Sequence, residues 1–444
     1  MNKNFKPIIG LEVHIELSTK SKMFCGCPAD HFGVEPNTHT CPVCLGLPGA
    51  LPYVNREAIE RVLRFGLTLN CEISKFSKFD RKHYSYPDLP KSFQTSQYDL
   101  PFCKNGKYEI DGREIKIRRI HMEEDTAKLV HSEIDSKKVS LIDFNRSGVP
   151  LVEMVTEPDF SDSESVSIFL KEIQLIIRTL GISTADMEKG SMRLEANISL
   201  KDMDQGKPDE LPNYKVELKN INSFRFLKKA IDYEIERQSE ILNEGREVVQ
   251  ETRGYSEKTG KTVSQRIKED AHDYRYFPEP DIAPFVFEEK YINYLIDIIP
   301  ELPIQKIKRY EEEFKLKKQI AELLVGDMNL SNLFEESIKL SNDEQVTPVM
   351  IANYIANNPE KEKLEAGQIV KVLHQSIKAS FSSDHDVINA VIQVISENSE
   401  VVQKYKDGNG NVIGFLIGQT QKILKGKGDP KRITEFLIEE IQKK

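Results

Sequence analysis

The chain of 444 residues contains no apolar run approaching the roughly 20 residues that a membrane-spanning helix needs. It also lacks a glycine-rich Walker loop, a dinucleotide fingerprint and a kinase signature, so any ATP it uses must sit in a site of another kind. There is no basic excess. The formal net charge of −9 excludes a uniformly cationic nucleic-acid coat and leaves nucleic acid to local patches. Cysteine is scarce, six in all, and four of these fall between positions 25 and 44. Such clustering points away from a secreted disulfide framework and toward metal. The first residues, "MNKNFKPIIG", show neither an apolar signal core nor an Arg- and Ser-rich lead, so a cytoplasmic protein without a membrane partner is expected.

What is present suits a globular protein: 39% hydrophobic and 30% charged residues, at a length that predicts two to four domains at roughly 150 residues each. Up to about residue 225 short alternating segments are separated by Pro, Gly, Asn and Asp, the pattern of an antiparallel sheet with loops. Two helices are expected to interrupt it. One follows the capping box "SDSE" at Ser161–Glu164 and stops at Gly181; the other runs from about Phe224 to Asn243. Prolines 278, 280, 284, 300 and 303 mark a domain boundary, and beyond Tyr291 the chain is mostly helical in period. The fold class expected is α+β, an antiparallel sheet with flanking helices followed by all-helical C-terminal domains.

Cys25-Gly-Cys27 and Cys41-Pro-Val-Cys44 offer four thiolates as two knuckles around a polar loop, "PADHFGVEPNTHT", that cannot fold by packing alone. The arrangement predicts a closed, structural zinc site in which His31 and His39 are unnecessary. Cys71 and Cys103 read as ordinary buried thiols.

The stretch "IGLEVHIEL" sets Ile9, Leu11, Val13, Ile15 and Leu17 against Gly10, Glu12, His14 and Glu16. Read with a period of two, it is a half-buried strand with an acidic and imidazole face. "SMRLEANISL", "YKVELKN" and "IHMEED" show the same habit, with Arg193, Glu195, Glu217, His121 and Glu123 on their polar sides and Glu124 following. Such residues suit divalent cations and phosphates. Residues i and i+2 stand roughly 6.6 Å apart, so Glu12 and His14 need a ligand from a neighbouring segment. Glu124 of "HMEED" is the expected donor, making Glu12, His14 and Glu124 the predicted Mg²⁺ site, with Glu16 left as a solvated carboxylate. "KFDRKHYSYPDLPKSFQTSQYD" interleaves Arg81 and Lys82 with Tyr84 and Tyr86, a pattern suited to phosphates and stacked bases. Rigid proline-bounded loops add Arg146 and Arg275. Near the end, Lys422, Lys425, Lys427, Lys431 and Arg432 form a cationic loop suited to phosphate contact.

Taken in order over residues 8 to 285, "IGLEVHIEL", "KFDRKHYSYPDLPKSFQTSQYD", "HMEEDTAK", "DFNRSGVPLVEMVTEPD", "EKGSMRLEANISL", "ELKNINSF", "ETRGY" and "DYRYFPEPDIAP" closely resemble the family of B subunits of glutamyl-/aspartyl-tRNA amidotransferases. The C-terminal "YKDGNGNVIGFLIGQTQKILKGKGDP" is similar to that family's tail, and the absence of a large insertion before "DYRYFPEPD" resembles the bacterial and organellar type. The resemblance implies a cradle-like catalytic domain over 1–290, a helical linker domain over 291–365 and a small helical tail over 366–444 that contacts tRNA. It implies a ligase reaction: ATP phosphorylates the side-chain carboxylate of Glu or Asp on a misacylated tRNA, and channelled ammonia then gives Gln or Asn. The implied cofactors are ATP and Mg²⁺. The implied partners are the amidase (the A subunit) and a small third subunit (the C subunit) in a heterotrimer, the misacylated tRNA, and a tRNA synthetase in larger assemblies. Glu12, His14 and Glu124 match the family's metal positions, with Glu123, Lys82 and Glu195 as polar positions of the same pocket. Arg81, Lys82, Tyr84, Arg146, Arg193 and Arg275 are the expected ATP contacts. Two features depart from the family pattern: Glu195 stands where Asp is usual, and the tail is roughly two helices short at ~12 residues each. Two other readings of the residues remain open, a non-catalytic zinc-bearing tRNA-binding adaptor and a free-standing metal-dependent phosphotransferase.

Overall fold

The computed structural model describes residues 4–110, 112–204, 210–267, 274–341, 345–380 and 382–443; Asp273, which opens "DYRYFPEPD", lies outside them. Two compact units divide the chain, Met1–Leu302 and Pro303–Lys444, and the division falls at the end of the proline-rich stretch.

The first unit is organised around β1 (Phe5–Glu16), whose odd residues Ile9, Leu11, Val13 and Ile15 are at most 1% exposed. After it come β2 (Glu72–Ile73), β3 (Phe76–Ser77), β4 (Asp80–His83), β5 (Phe93–Ser96), β6 (Cys103–Ile110), β7 (Arg113–Glu124), β8 (Lys128–Ile134), β9 (Lys137–Asp143) and β10 (Pro150–Thr156). The later strands are β11 (Met192–Asp202), β12 (Val216–Ile221), β13 (Glu251–Ser256), β14 (Lys261–Ile267), β15 (Phe277–Pro278) and β16 (Phe285–Val286). One nine-stranded sheet runs β14-β13-β12-β11-β1-β10-β7-β6-β2, with β1 in the middle. Its ladders are antiparallel except for the parallel β12/β13 pair. A three-stranded sheet, β15-β4-β5, carries the "DRKH" segment, and β8 with β9 forms a separate hairpin.

Helices α1 (Arg56–Thr68), α2 (Ser163–Thr179) and α3 (Phe224–Asn243) share one apolar core with the odd residues of β1 and with Ile120, Met122, Met154, Leu194 and Ile198. Phe169, Leu170, Ile173, Ile176 and Ile177 of α2 are wholly buried there. Each such side chain contributes about 1.5–3 kcal/mol by leaving water. Both helices expected from the sequence are present, but the cap of α2 is Asp162, whose side chain accepts from the Ser165 N–H at 2.7 Å. Helix α1 has no counterpart among the expected elements. Asn55 caps it, and Ala58, Ile59, Val62, Leu63 and Phe65 bury one face over only 13 residues. α4 (Glu289–Asp297) closes the unit.

The second unit is helical: α5 (Pro303–Glu312), α6 (Lys318–Val325), α7 (Met328–Leu340), α8 (Pro348–Asn357), α9 (Ala366–Ser380), α10 (Asp384–Glu397), α11 (Ser399–Lys406), α12 (Ile413–Ile423) and α13 (Pro430–Lys443). Val387, Val391 and Val394 of α10 pack with Leu416, Ile433, Leu437 and Ile441 into a core of their own. Among the described residues no helix is long and apolar enough to cross a membrane.

Candidate active site and metal sites

Because β10 lies between β1 and β7, Glu153 stands opposite His14 on one side and His121 on the other. The three side chains form a row on the polar face of the sheet. His14 Nε2 lies 3.4 Å from Glu153 Oε2, and His121 Nε2 lies 3.3 Å from the same oxygen. Glu123, two residues beyond His121, brings Oε1 to 3.8 Å from His14 Nε2. His14, Glu123 and Glu153 thus offer three ligand atoms within 4.8 Å of one another. Burial opposes charge on His14, but hydrogen bonding to Glu153 and the charges of Glu153, Glu123 and Glu195 outweigh it and hold the imidazole up at about 9. A proton and a divalent cation therefore compete for this position. Burial works against the Glu153 carboxylate too, yet His121 and His14 keep its pKa well below the ordinary range. Lys82 is tucked beside them, its ammonium 5.0 Å from the Tyr274 ring centre and 5.9 Å from that of Tyr84. Burial opposes its charge, and Glu123 leads the groups that raise its pKa.

A second cluster lies two residues back along β1. Glu12 faces Glu195 of β11, and Glu217 of β12 completes a group within 4.8 Å. Burial first, then Glu153 and Glu195, raises the pKa of Glu12. Here a lysine already supplies positive charge: Lys219 Nζ is 2.7 Å from Glu195 and 3.5 Å from Glu217. The Asn197 amide donates to Glu12 at 2.9 Å. A cleft of about 310 Å³ opens alongside, lined by Glu12, Arg118, Asn197, Tyr214 and Lys215.

The expected Mg²⁺ triad does not assemble: among the described residues Glu124 joins neither cluster. The reason is pleat parity. Glu123 and Glu124 are successive residues of β7 and point to opposite faces. Glu124 instead forms an ion pair with Lys91 and accepts from the Thr95 N–H at 2.9 Å. Glu16 is not solvated either. It is 6% exposed and meets His31 Nε2 at 3.1 Å, and burial raises its pKa. Of the expected ATP contacts, Lys82 and Tyr84 lie at the His14 cluster. Arg81, on the other side of β4, holds Glu279 with two bonds of 2.7 Å. Arg193 meets Asp125 at 2.8 Å, and Arg146 reaches the same carboxylate at 3.7 Å while donating to the Thr126 and Ala127 carbonyls. Arg275 sits in the left-handed region at φ 39°, and its carbonyl lies 3.1 Å from His83 Nδ1.

The four knuckle cysteines bring their sulfurs within 4.8 Å of one another. Cys41 and Cys44 Sγ are 3.9 Å apart, matching the roughly 3.8 Å edge of a tetrahedron with Zn–S bonds of about 2.3 Å. The donor set therefore fits zinc. Hydrogen bonding from Cys25 first, then from the Cys41 backbone and with the charge of Lys22, pulls the Cys44 thiol down to about 5. Cys71 and Cys103 are buried elsewhere, 7% and 0% exposed.

The sequence pattern of the GatB/GatE catalytic domain matches residues 7–293, and that of a GatB domain matches residues 335–441. The chain belongs to the GatB family. A Caldicellulosiruptor saccharolyticus protein, named as the B subunit of aspartyl/glutamyl-tRNA(Asn/Gln) amidotransferase, is 42% identical over 484 aligned positions, covering 99% of each chain. Proteins of the same name from Persephonella marina and Thermotoga petrophila are each 41% identical, covering 98% of this chain and 99% of their own. The 484 positions exceed the 444 residues here, so the first relative carries segments that this chain lacks.

Within the GatB catalytic domain, sequence reasoning missed Glu153 and its pairing with His121. Glu153 had a signal: it is a lone carboxylate inside "PLVEMVT", a segment buried along its whole length. In the second unit Lys422, Lys425, Lys427 and Lys431 are exposed around the α12–α13 turn, where Gln421 clamps Gly428. Arg432 is held by Asp384 and by Glu435 at 3.2 Å.

Proposed function

We propose that this chain is the B subunit of a tRNA-dependent amidotransferase and that its first unit carries the ATP-dependent step. The terminal phosphoryl group of ATP passes to the side-chain carboxylate of Glu on tRNA(Gln) or Asp on tRNA(Asn), leaving ADP and an acyl phosphate. Ammonia then attacks the acyl carbon and phosphate departs, giving Gln-tRNA(Gln) or Asn-tRNA(Asn). Phosphorylation is needed because a carboxylate oxygen is a poor leaving group.

The observation that carries this reading is the convergence of His14, Glu123 and Glu153 beside Lys82, inside the region that matches the catalytic family. His14, Glu123 and Glu153 would hold Mg²⁺; Glu124 is not part of that set. Bound there, Mg²⁺ supplies charge stabilisation to a transferring phosphoryl group. Lys82 would place a fixed ammonium near the same phosphate oxygens, kept charged by Glu123. Glu12, Glu195 and the adjoining cleft would receive the remaining part of ATP. The four cysteines would hold a structural zinc ion. An adaptor with no catalysis would have no use for a buried His–Glu row held at such cost on a sheet.

Ammonia would come from the amidase partner, the A subunit, while the small C subunit would make up the heterotrimer in the cytoplasm; a tRNA synthetase is a further partner of the same reading. The exposed lysines of the last turn would contact tRNA phosphates. The deciding experiment is to purify the chain with an amidase partner and assay Glu-tRNA(Gln) and Asp-tRNA(Asn) with glutamine, ATP and Mg²⁺. Conversion of either is expected. A folded complex that converts neither would sink the proposal.

A further inference from the structure

Lys22 is 0% exposed, yet no carboxylate pairs with it among the ion pairs of the described residues. Its ammonium donates to two main-chain carbonyls, those of His39 at 2.8 Å and Phe144 at 3.2 Å. Burying a cation on neutral dipoles alone is costly, because nothing of opposite charge offsets the lost hydration. A negative charge in the working state would remove that cost, and the cysteine loop is adjacent. The Lys22 N–H donates to the Cys27 carbonyl at 2.9 Å. Gly148 separates the lysine stem from the knuckle: a Cβ there would stand 3.6 Å from Cys44 Cβ and 3.7 Å from Lys22 Cδ. Glu124 also approaches that glycine, at 3.9 Å, but Lys91 and the Thr95 N–H already engage its carboxylate.

Zinc ligated by four thiolates is a formal dianion. We propose that Lys22 is the resident counter-cation of a zinc–tetrathiolate cluster, a positioning residue that sets how tightly the knuckle holds its metal. The inference rests on the zinc reading of the four cysteines. It explains why a lysine, and not an apolar side chain, fills this place: the metal cluster and the ammonium each offset the cost of burying the other's charge. It also ties the knuckle to the floor of the polar face. The Gly148 N–H donates to the Asp125 carbonyl at 2.9 Å, one residue beyond the strand that carries Glu123.

The test uses the full chain and its Lys22→Met, Lys22→Gln and Lys22→Arg variants, loaded with zinc and then challenged with a chromogenic chelator. The neutral variants are expected to hold zinc about 10–100-fold more weakly than the wild type, and Lys22→Arg to stay close to it. The rise in Tm on adding zinc should shrink in the same two neutral variants. A folded neutral variant that holds zinc within about twofold of the wild type overturns the proposal. A wild-type chain with reduced thiols that takes up no zinc overturns the cysteine-site reading itself, and that result is visible before any variant is made. Should neither neutral variant fold, Lys22→Arg decides: a folded Lys22→Arg chain that holds zinc within about threefold of the wild type supports the proposal, and one that loses more than about tenfold overturns it.

Discussion

The cysteine loop and the His14 row gather metal-binding side chains in the same unit by opposite means. Between β1 and α1 the chain makes no helix and no strand beyond a single Ser21/Pro28 bridge, so turns and hydrogen bonds to the segment before β10, such as Ser147 Oγ to the Cys44 carbonyl at 3.2 Å and the His39 N–H to Asn145 at 2.8 Å, position Cys25, Cys27, Cys41 and Cys44. His14, Glu153 and Glu123 are fixed by two continuous ladders in the middle of a nine-stranded sheet. On the proposed reading, the first arrangement would need its ion to stay folded and would close all four ligand positions around it. On the same reading, the second would stand without an ion and leave positions open for phosphate oxygens and water. On that reading, structural and catalytic use follow from what holds the ligands.

The sharpest way to break this comparison is to remove one ligand from the sheet. Glu123→Gln should lower amidation by at least ~10³-fold in the assembled enzyme with Tm nearly unchanged, because only the reacting charges lose a partner. Mn²⁺ binding, followed by its paramagnetic resonance, should be lost in Glu123→Gln and Glu153→Gln and kept in Glu124→Gln. Loss in Glu124→Gln alone would restore the set expected from the sequence. Removing a knuckle ligand should do the reverse. Cys44→Ser should abolish zinc uptake and open residues 28–40 to protease while leaving Mn²⁺ binding on the sheet intact.

A smaller effect lies between the two sites. Burial opposes ionisation of Asp125, but Arg193 and Arg146 prevail and depress its pKa to about 2. The folded value is below the unfolded one, so the stabilisation is present above pH ~4 and is lost as pH falls toward 2. It amounts to about 2 kcal/mol, and Asp125→Asn should flatten that part of an acid-denaturation curve. Smallest of all, Lys425→Ala with Lys427→Ala should weaken tRNA binding a few-fold and reduce its salt dependence by roughly one unit of slope for each phosphate no longer neutralised.

Much of this was legible in the residues. The period of two in β1 separated core from polar face, and the spacing of the cysteines announced the knuckle. The α2 and α3 helices were visible because their apolar stripes are long, whereas α1 is short and its stripe merges with the loop before it. The Mg²⁺ set proposed from the structure departs from the expected one at Glu124 for a geometric reason. Glu123 and Glu124 are equivalent as letters, and only the pairing of β7 with β10 decides which one faces His14. Glu16 looked solvated because its strand face is polar, but His31 from the cysteine loop folds over it.

The central place of β1 also sets a timetable. This strand leaves the ribosome well before the strands that flank it, for Phe5 pairs with Asp202 and Glu12 with Val155. At roughly 5–20 residues per second, its partners follow about ten seconds or more later. The knuckle's four cysteines emerge within a short run of residues, but Phe144, Ser147 and Gly148, which pack on the loop, follow only just ahead of β10. A nascent chain would thus hold an unbraced cysteine loop beside an unpaired and sticky strand, a point at which chaperone protection matters most.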